Sequence, residues 1–215
     1  MKVGILGTGD VGKVLADGFA ARGHNVMIGT RNPQNVALKN WAARRRGRIA
    51  IGSFSDAARY GRLLVLAVQG NAAIATLEAA GLDHFSGKIL IDVTMPWDTA
   101  PEAPSPLFVG TTDSLGERVQ RAVRAARVVK TFTVGSGQMV NPRIRGERRL
   151  ELLVAGNDGG AKRRVSEIVR SFGWTGTIDI GDIEGARWLE SLAPLWLRLG
   201  NALHDYDHVF SFARN

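Results

Sequence analysis

Three glycines in the spacing Gly7-x-Gly9-x-x-Gly12 directly follow the apolar stretch 3–6 and open a segment of helical periodicity. In that context the residue types suit a dinucleotide. Gly7 permits a tight turn, Gly9 lets the main chain approach a pyrophosphate, and Gly12 lets a helix close against the strand beneath it. Thr8, Asp10 and Val11 fill the turn, whose first helical amides then face negative charge. The next strand runs out at Gly29-Thr30-Arg31-Asn32, where a NAD site would place an acid for the adenosine ribose. Thr30 offers a hydroxyl there. Arg31 offers a fork of donors for phosphate oxygens and a plane to lay on adenine, and Asn32 follows them. The nucleotide expected is therefore NADP(H). Lys39 and the run Arg44, Arg45, Arg46 either add positive field or form a solvated helix end.

Val68, Gln69 and Gly70 stand at the carboxyl end of the fourth strand, where open α/β sheets place their ligand crevices, so their backbone should pass the nicotinamide ribose. The same rule brings Asp92, Thr94, Met95 and Pro96 near the crevice. Asp92 reads equally well as a proton-handling acid or as the cap of a loop. No residue declares itself as the acid or base that an alcohol dehydrogenase needs, and no catalytic side chain is assigned. A hydride passed directly between two bound cofactors needs only the orientation of two rings. His204 and His208, one helical turn apart near the end, have no companion ligand motif and read as helix-face residues. No metal site is expected.

These positions need a sheet to hold them. Strands are expected at 2–6, 25–28, 49–51, 63–68, 88–94, 128–132, 150–154 and 177–180. Helices are expected at 10–21, 36–46, 55–60, 71–80, 114–126, 159–171 and 185–203, the last with Pro194 inside it. The strands at 63–68 and 88–94 have almost no polar face, the mark of burial beneath helices on both sides. The proline-bearing segment 95–106 is loop. This order predicts an α/β fold: a Rossmann-like, doubly wound, mostly parallel sheet with a C-terminal helical extension. Residues 1–150 form the NADP-binding domain, and 151–215 form a small strand-helix extension that completes the acceptor pocket. The stretch 188–199 is apolar over much of its circumference, so a homodimer interface is expected on that helix.

A chain of 215 residues can bury a full core. It has no cysteine, which excludes a disulfide framework, a thiol nucleophile and thiolate metal sites. No apolar run reaches membrane-spanning length and the start lacks a signal peptide, so a soluble cytoplasmic protein is expected. The net charge of +8 fits a solvated surface first and an anionic small ligand second. The aromatic residues are not interleaved with the arginines as a base-stacking platform would require, so no specific nucleic-acid partner is expected.

Four stretches carry a resemblance: GILGTGDVG (4–12), IGTRN (28–32), VVKTFTVGSGQMVNP (128–142) and RWLESLAPLWLRLG (187–200). Over nearly its whole length the chain resembles the NADPH-dependent reductases of the deazaflavin coenzyme F420. They belong to a broader group similar in its nucleotide domain to pyrroline-5-carboxylate reductases and to the reductase domain of membrane ferric reductases. The resemblance implies hydride transfer between NADP(H) and F420 without covalent or acid catalysis. It implies that Thr30 and Arg31 hold the 2'-phosphate and that Val68, Gln69 and Gly70 border the nicotinamide and deazaflavin rings. It further implies that Thr133, Val134 and Gly135 line the crevice, and that the terminal helix, with Glu190, Ser191, Leu192 and Pro194, closes the pocket and a dimer interface. Two stretches depart from many relatives: Gln69-Gly70 stands where they read Pro-Trp, and 130–135 is one residue shorter and lacks their asparagine. Both fall where the second substrate sits. They leave open a flavin, a quinone or an imine as acceptor, or an NADP(H)-binding sensor that does no chemistry.

Overall fold

In the computed structural model, which describes residues 1–45, 47–98, 106–142 and 150–212, six short apolar strands lie side by side. They are β1 (Lys2–Leu6), β2 (Asn25–Thr30), β3 (Ile49–Ser53), β4 (Leu63–Leu66), β5 (Ile89–Asp92) and β6 (Arg127–Lys130). Their order is β3-β2-β1-β4-β5-β6, and every neighbouring pair is parallel. The order reverses between β1 and β4, so the crevice expected of a doubly wound sheet opens beyond Leu6 and Leu66.

The crossovers are helical: α1 (Asp10–Ala21), α2 (Val36–Ala43), α3 (Phe54–Tyr60), α4 (Ala73–Ala80) and α5 (Leu115–Ala122). Alternate strand residues face opposite sides, which splits the core in two. Val3, Ile5, Val65, Ile91 and Val129 pack with Leu15 and Phe19 of α1 on one face. Leu64, Leu66, Leu90 and Val128 pack with Leu77 of α4 and Val119 of α5 on the other.

The eight predicted strands do not form one sheet. β7 (Glu151–Val154) and β8 (Gly176–Asp179) make a separate parallel pair connected by α6 (Gly159–Ser171). An antiparallel bridge between Lys130 and Ala155 joins this pair to the main sheet. Val165 and Val169 of α6, and Phe172 just after it, enter the same core as Ile5 and Phe19. The last helix, α7 (Ala186–Leu203), contains Pro194 as expected. It turns Leu189, Glu190 and Ala193 inward and leaves Trp188 and Leu195 exposed, at 63% and 49%.

Several boundaries move for local reasons. Helix α5 stops at Ala122 instead of 126, because the Gln120 side-chain amide donates to the Val123 and Ala126 carbonyls, 3.4 and 3.1 Å away, and turns the chain into β6. Helix α2 ends at Ala43. Its expected end at Arg46 lies outside the described residues, as does most of the proline loop, 99–105. The flanks of that loop pair through Trp97 and Leu107. Among the described residues no helix is long and apolar enough to cross a membrane.

Candidate functional site

Two cavities meet over the β1–α1 turn, and Gly9, Val68 and Gln69 border both. The turn is as tight as the glycine spacing requires. Gly7 has φ +127°, and a Cβ there would fall 2.1 Å from the Ala67 carbonyl oxygen. A Cβ at Gly12 would fall 2.4 Å from the Gly7 carbonyl oxygen. At Gly9 a Cβ would meet nothing within 4 Å, so the main chain there faces open space. No side chain caps α1 at Gly9, and its first amides remain available to an anion.

The first cavity, about 660 Å³, is lined by Gly7, Thr8, Thr30 and Arg31, and by Ser53 and Phe54 at the start of α3. The Arg31 side chain is exposed and has no partner among the described residues. Thr30 Oγ1 accepts from the Asn32 amide at 3.2 Å. Asn32 Oδ1 accepts from the Gln34 amide at 3.1 Å, so its side chain holds the turn, and it lines neither cavity. Ser53 and Asp56 form a reciprocal cap on α3. The hydrogen bonds from the Ser53 hydroxyl and amide, with Arg59 beside them, hold the Asp56 carboxyl down at about 2. Small residues on one face of α4 and before it, Ala72, Ala75, Thr76 and Ala79, complete this wall. Their helical spacing was visible in the sequence but could not be told from ordinary packing.

The second cavity, about 540 Å³, is lined by Asp10, Val11, Val68, Gln69, Gly70 and the consecutive residues Thr133, Val134 and Gly135. Here the chain segments touch. A Cβ at Gly70 would fall 2.2 Å from the Met95 carbonyl oxygen. Phe132 adopts φ +60°, a conformation unusual for a bulky residue, and so turns the chain after β6 across the cavity. The Thr133 hydroxyl is buried without a hydrogen-bond partner among the described residues. Met95, as expected, lines this cavity, whereas Pro96 does not. Sequence reasoning missed Trp97, Phe132, Met139, Ala193 and Trp196. Trp196 lies in a stretch whose apolar character pointed only to burial.

Behind this wall lies a buried ion cluster. Lys130 and Asp92 are 0% exposed and Glu190 is 1% exposed. Lys130 Nζ lies 3.1 Å from Asp92 Oδ2 and 2.9 Å from Glu190 Oε1, and it also donates to the Thr94 carbonyl. Burial by itself would lower the lysine's proton affinity. The attraction of Asp92 and Glu190 and their hydrogen bonds outweigh it, and the ammonium is held above its ordinary range. Asp92 Oδ1 accepts from the Thr94 amide at 2.9 Å and hydroxyl at 2.6 Å. It is therefore a cap and an ion-pair partner, and the cavity does not reach it. Glu190 accepts from the amides of Leu115 and Gly116, both at 2.9 Å, at the N-terminus of α5. Arg187 of α7 adds a bidentate pair to Glu117 of α5, at 2.8 and 2.6 Å.

Other expectations are corrected by this geometry. Glu190 is an internal strut and not a pocket-lining residue, because its carboxylate is taken up by Lys130 and the two α5 amides. Ser191, Leu192 and Pro194 do not line the 540 Å³ cavity, whereas Ala193 and Trp196 do; Leu192 faces a small neighbouring pocket of about 20 Å³ that Thr133 and Val134 also border. Arg45 pairs with Asp17 at 2.5 Å and lies over the Trp41 ring at 3.9 Å, and Lys39 is bonded to Gln34; neither lines a cavity. His204 ends α7 with φ +51° and His208 lies beyond the helix, so the two do not share a helix face. Among the described residues there is no group of three or more histidine and acidic side chains able to hold a metal ion.

A parallel sheet with a glycine turn at its switch point and a cationic end to its second strand defines a dinucleotide-binding protein. A family model described as "NADP oxidoreductase coenzyme F420-dependent" matches residues 2–96. A crystal structure from Arthrobacter sp. FB24, provisionally assigned as an F420-dependent NADP-reductase, superposes over all of both chains with TM-score 0.94 and 39% identity. The F420-dependent NADP reductase of Methanothermobacter marburgensis is 28% identical over 211 residues, 93% of this chain and 92% of that one. The rat metalloreductase STEAP3 is 31% identical over 209 residues, which are 91% of this chain and 38% of the larger protein. The chain belongs to the F420-dependent NADP reductase family and is an NADP-dependent oxidoreductase.

Proposed function

We propose that this chain transfers a hydride between NADP(H) and the deazaflavin coenzyme F420, ring to ring. NADPH, when bound, supplies the hydride; the protein's part is to bind and orient two partners. Support for the nucleotide end comes from the unpartnered Arg31 guanidinium beside Thr30 on the 660 Å³ cavity, suited to a 2'-phosphate. The glycine turn and the uncapped α1 amides suit a pyrophosphate, which assigns Gly7, Thr8, Gly9, Asp10, Val11 and Gly12 to the nucleotide site, while Asn32 supports the Thr30–Arg31 turn.

The observation that carries the reading is the second cavity. It adjoins the first at Gly9, Val68 and Gln69, is walled largely by apolar and aromatic residues, and among the described residues its lining has no histidine, lysine or tyrosine. Such a wall suits a flat ring that accepts a hydride without a dedicated proton donor. Residues 1–150 then serve the nucleotide and 151–215 complete the acceptor side. The exposed stripe with Trp188 and Leu195 on α7 supports a homodimer built on that helix.

The test is anaerobic mixing of the protein with NADPH and oxidised F420, with NADH as control. NADPH-dependent loss of the F420 visible absorbance is expected. Binding of NADPH without bleaching would overturn the F420 assignment and move the search to flavins, quinones and imines.

A further inference from the structure

Trp196 supplies the α7 side of the 540 Å³ cavity, and the chain beyond α7 holds it in place. The indole Nε1–H donates to the His208 carbonyl at 3.0 Å. Its ring stacks on the His208 imidazole, with centroids 5.0 Å apart and planes 22° from parallel. Tyr206 packs against it at 6.0 Å, tilted by 50°. The indole also presses on the cavity-lining backbone, since a Cβ at Gly135 would fall 2.9 Å from it. The clasping segment is itself anchored. Tyr206 lies on Gly200, where a Cβ would come within 2.5 Å of its ring, and its hydroxyl bonds Asn201. The Gln138 amide donates to Asp207. His208 Nδ1 lies 2.9 Å from the Asp205 carbonyl and donates to it, and Val209 packs into the main core.

A side chain on a surface helix needs none of this. An indole fixed by a hydrogen bond, two rings and a glycine backbone has lost its rotamer freedom before any ligand arrives, so a ligand packing on it does not bear that loss. We propose that Trp196 is a specificity-determining wall for a flat, conjugated acceptor ring, and that residues 205–208 are its positioning strap. The inference rests on the hydride-acceptor reading of this cavity. It goes beyond that reading in naming Trp196 as the wall the acceptor ring meets and residues 205–208 as the strap that holds it. Nucleotide affinity, set mainly by the phosphates at the glycine turn and Arg31, should change little with the strap.

Steady-state reduction of F420 by NADPH, with NADPH affinity measured separately by calorimetry, tests this on Trp196→Ala, His208→Ala and His208→Phe. Trp196→Ala should raise the KM for F420 by about ten-fold, the upper end for one aromatic pair, and leave the NADPH Kd within about two-fold. His208→Ala should raise the same KM by about three-fold, and His208→Phe, which keeps a ring under the indole, should restore it. A lost backbone contact alone would not be rescued by phenylalanine. An unchanged F420 KM in His208→Ala, or NADPH affinity falling in parallel with acceptor affinity, would overturn the proposal even if Trp196→Ala fails to fold. A wild type that reduces FMN and leaves F420 oxidised would overturn the F420 reading alone, and the same KM comparison made with FMN would then decide this one. A wild type that reduces neither would overturn both.

Discussion

The cavity beside Arg31 and the cavity beside Trp196 share a floor but are built in opposite ways. The first is made of the main chain of one turn and of side chains at the ends of β2 and β3, with its cation standing in solvent. The second is gathered from the ends of β4, β5 and β6 and from α7, with its charges buried behind it. Recognition in the first half is separable from stability, because removing an exposed guanidinium leaves no buried group unsatisfied. In the second half the wall and the core are one object. α7 is attached through Glu190 and Arg187, and Glu190 is part of what neutralises Lys130.

The largest effect expected from breaking this contrast is that of Lys130→Met. It strands Asp92 and Glu190 without their cation and should destabilise the fold by about 3–5 kcal/mol in urea unfolding. Arg31→Ala in the same assay should leave the midpoint where it was. A Lys130→Met protein as stable as the wild type would show that the cluster does not hold the wall.

Next in size, Arg31→Ala should weaken NADPH relative to NADH by roughly 1.5–3 kcal/mol in calorimetric titrations. Equal losses for the two nucleotides would contradict a contact with the 2'-phosphate. The smallest effect sharpens the boundary between the halves. Ser53→Ala removes the α3 cap and should lower stability by about 1 kcal/mol. It should also change the acid limb of the unfolding profile. Asp56 has its folded pKa depressed from 3.8 to about 2. Its stabilisation is therefore complete above the unfolded value and is lost as pH falls through about 2. Because the Ser53 hydroxyl is the first cause of that depression, the folded pKa of Asp56 in the variant should move back toward 3.8, and the fall in stability between the two values should flatten. An unaltered acid limb would show that the backbone amide at position 53 and Arg59 hold the Asp56 charge without the hydroxyl.

The same contrast governs what the sequence made legible. Gly7, Gly9, Gly12, Thr30 and Arg31 act through their neighbours in the chain, so their spacing states their role, and α1 and α6 have the predicted bounds. Lys130 looked like an ordinary strand residue, because its meaning comes from Asp92, 38 positions away, and from Glu190 on the last helix. Trp196 was legible as apolar but not as a wall, since its role depends on His208 folding back after a helix end that no glycine or proline announces. The division of the strands into six and two was hidden as well: alternation and length are alike in β6 and β7, and β7 meets the main sheet through an antiparallel bridge at Ala155 and not as a seventh parallel strand.

The burial of Lys130 also gives the molecule an internal reporter. An amine that is wholly covered and clasped by two carboxylates is out of reach of acylating reagents, while Lys2 and Lys39 stand exposed. Mass-spectrometric footprinting with an activated ester should therefore modify the exposed lysines and spare Lys130 for as long as α7 stays docked. The moment at which that amine begins to react would time the detachment of the terminal helix directly, in the native chain and without a mutation.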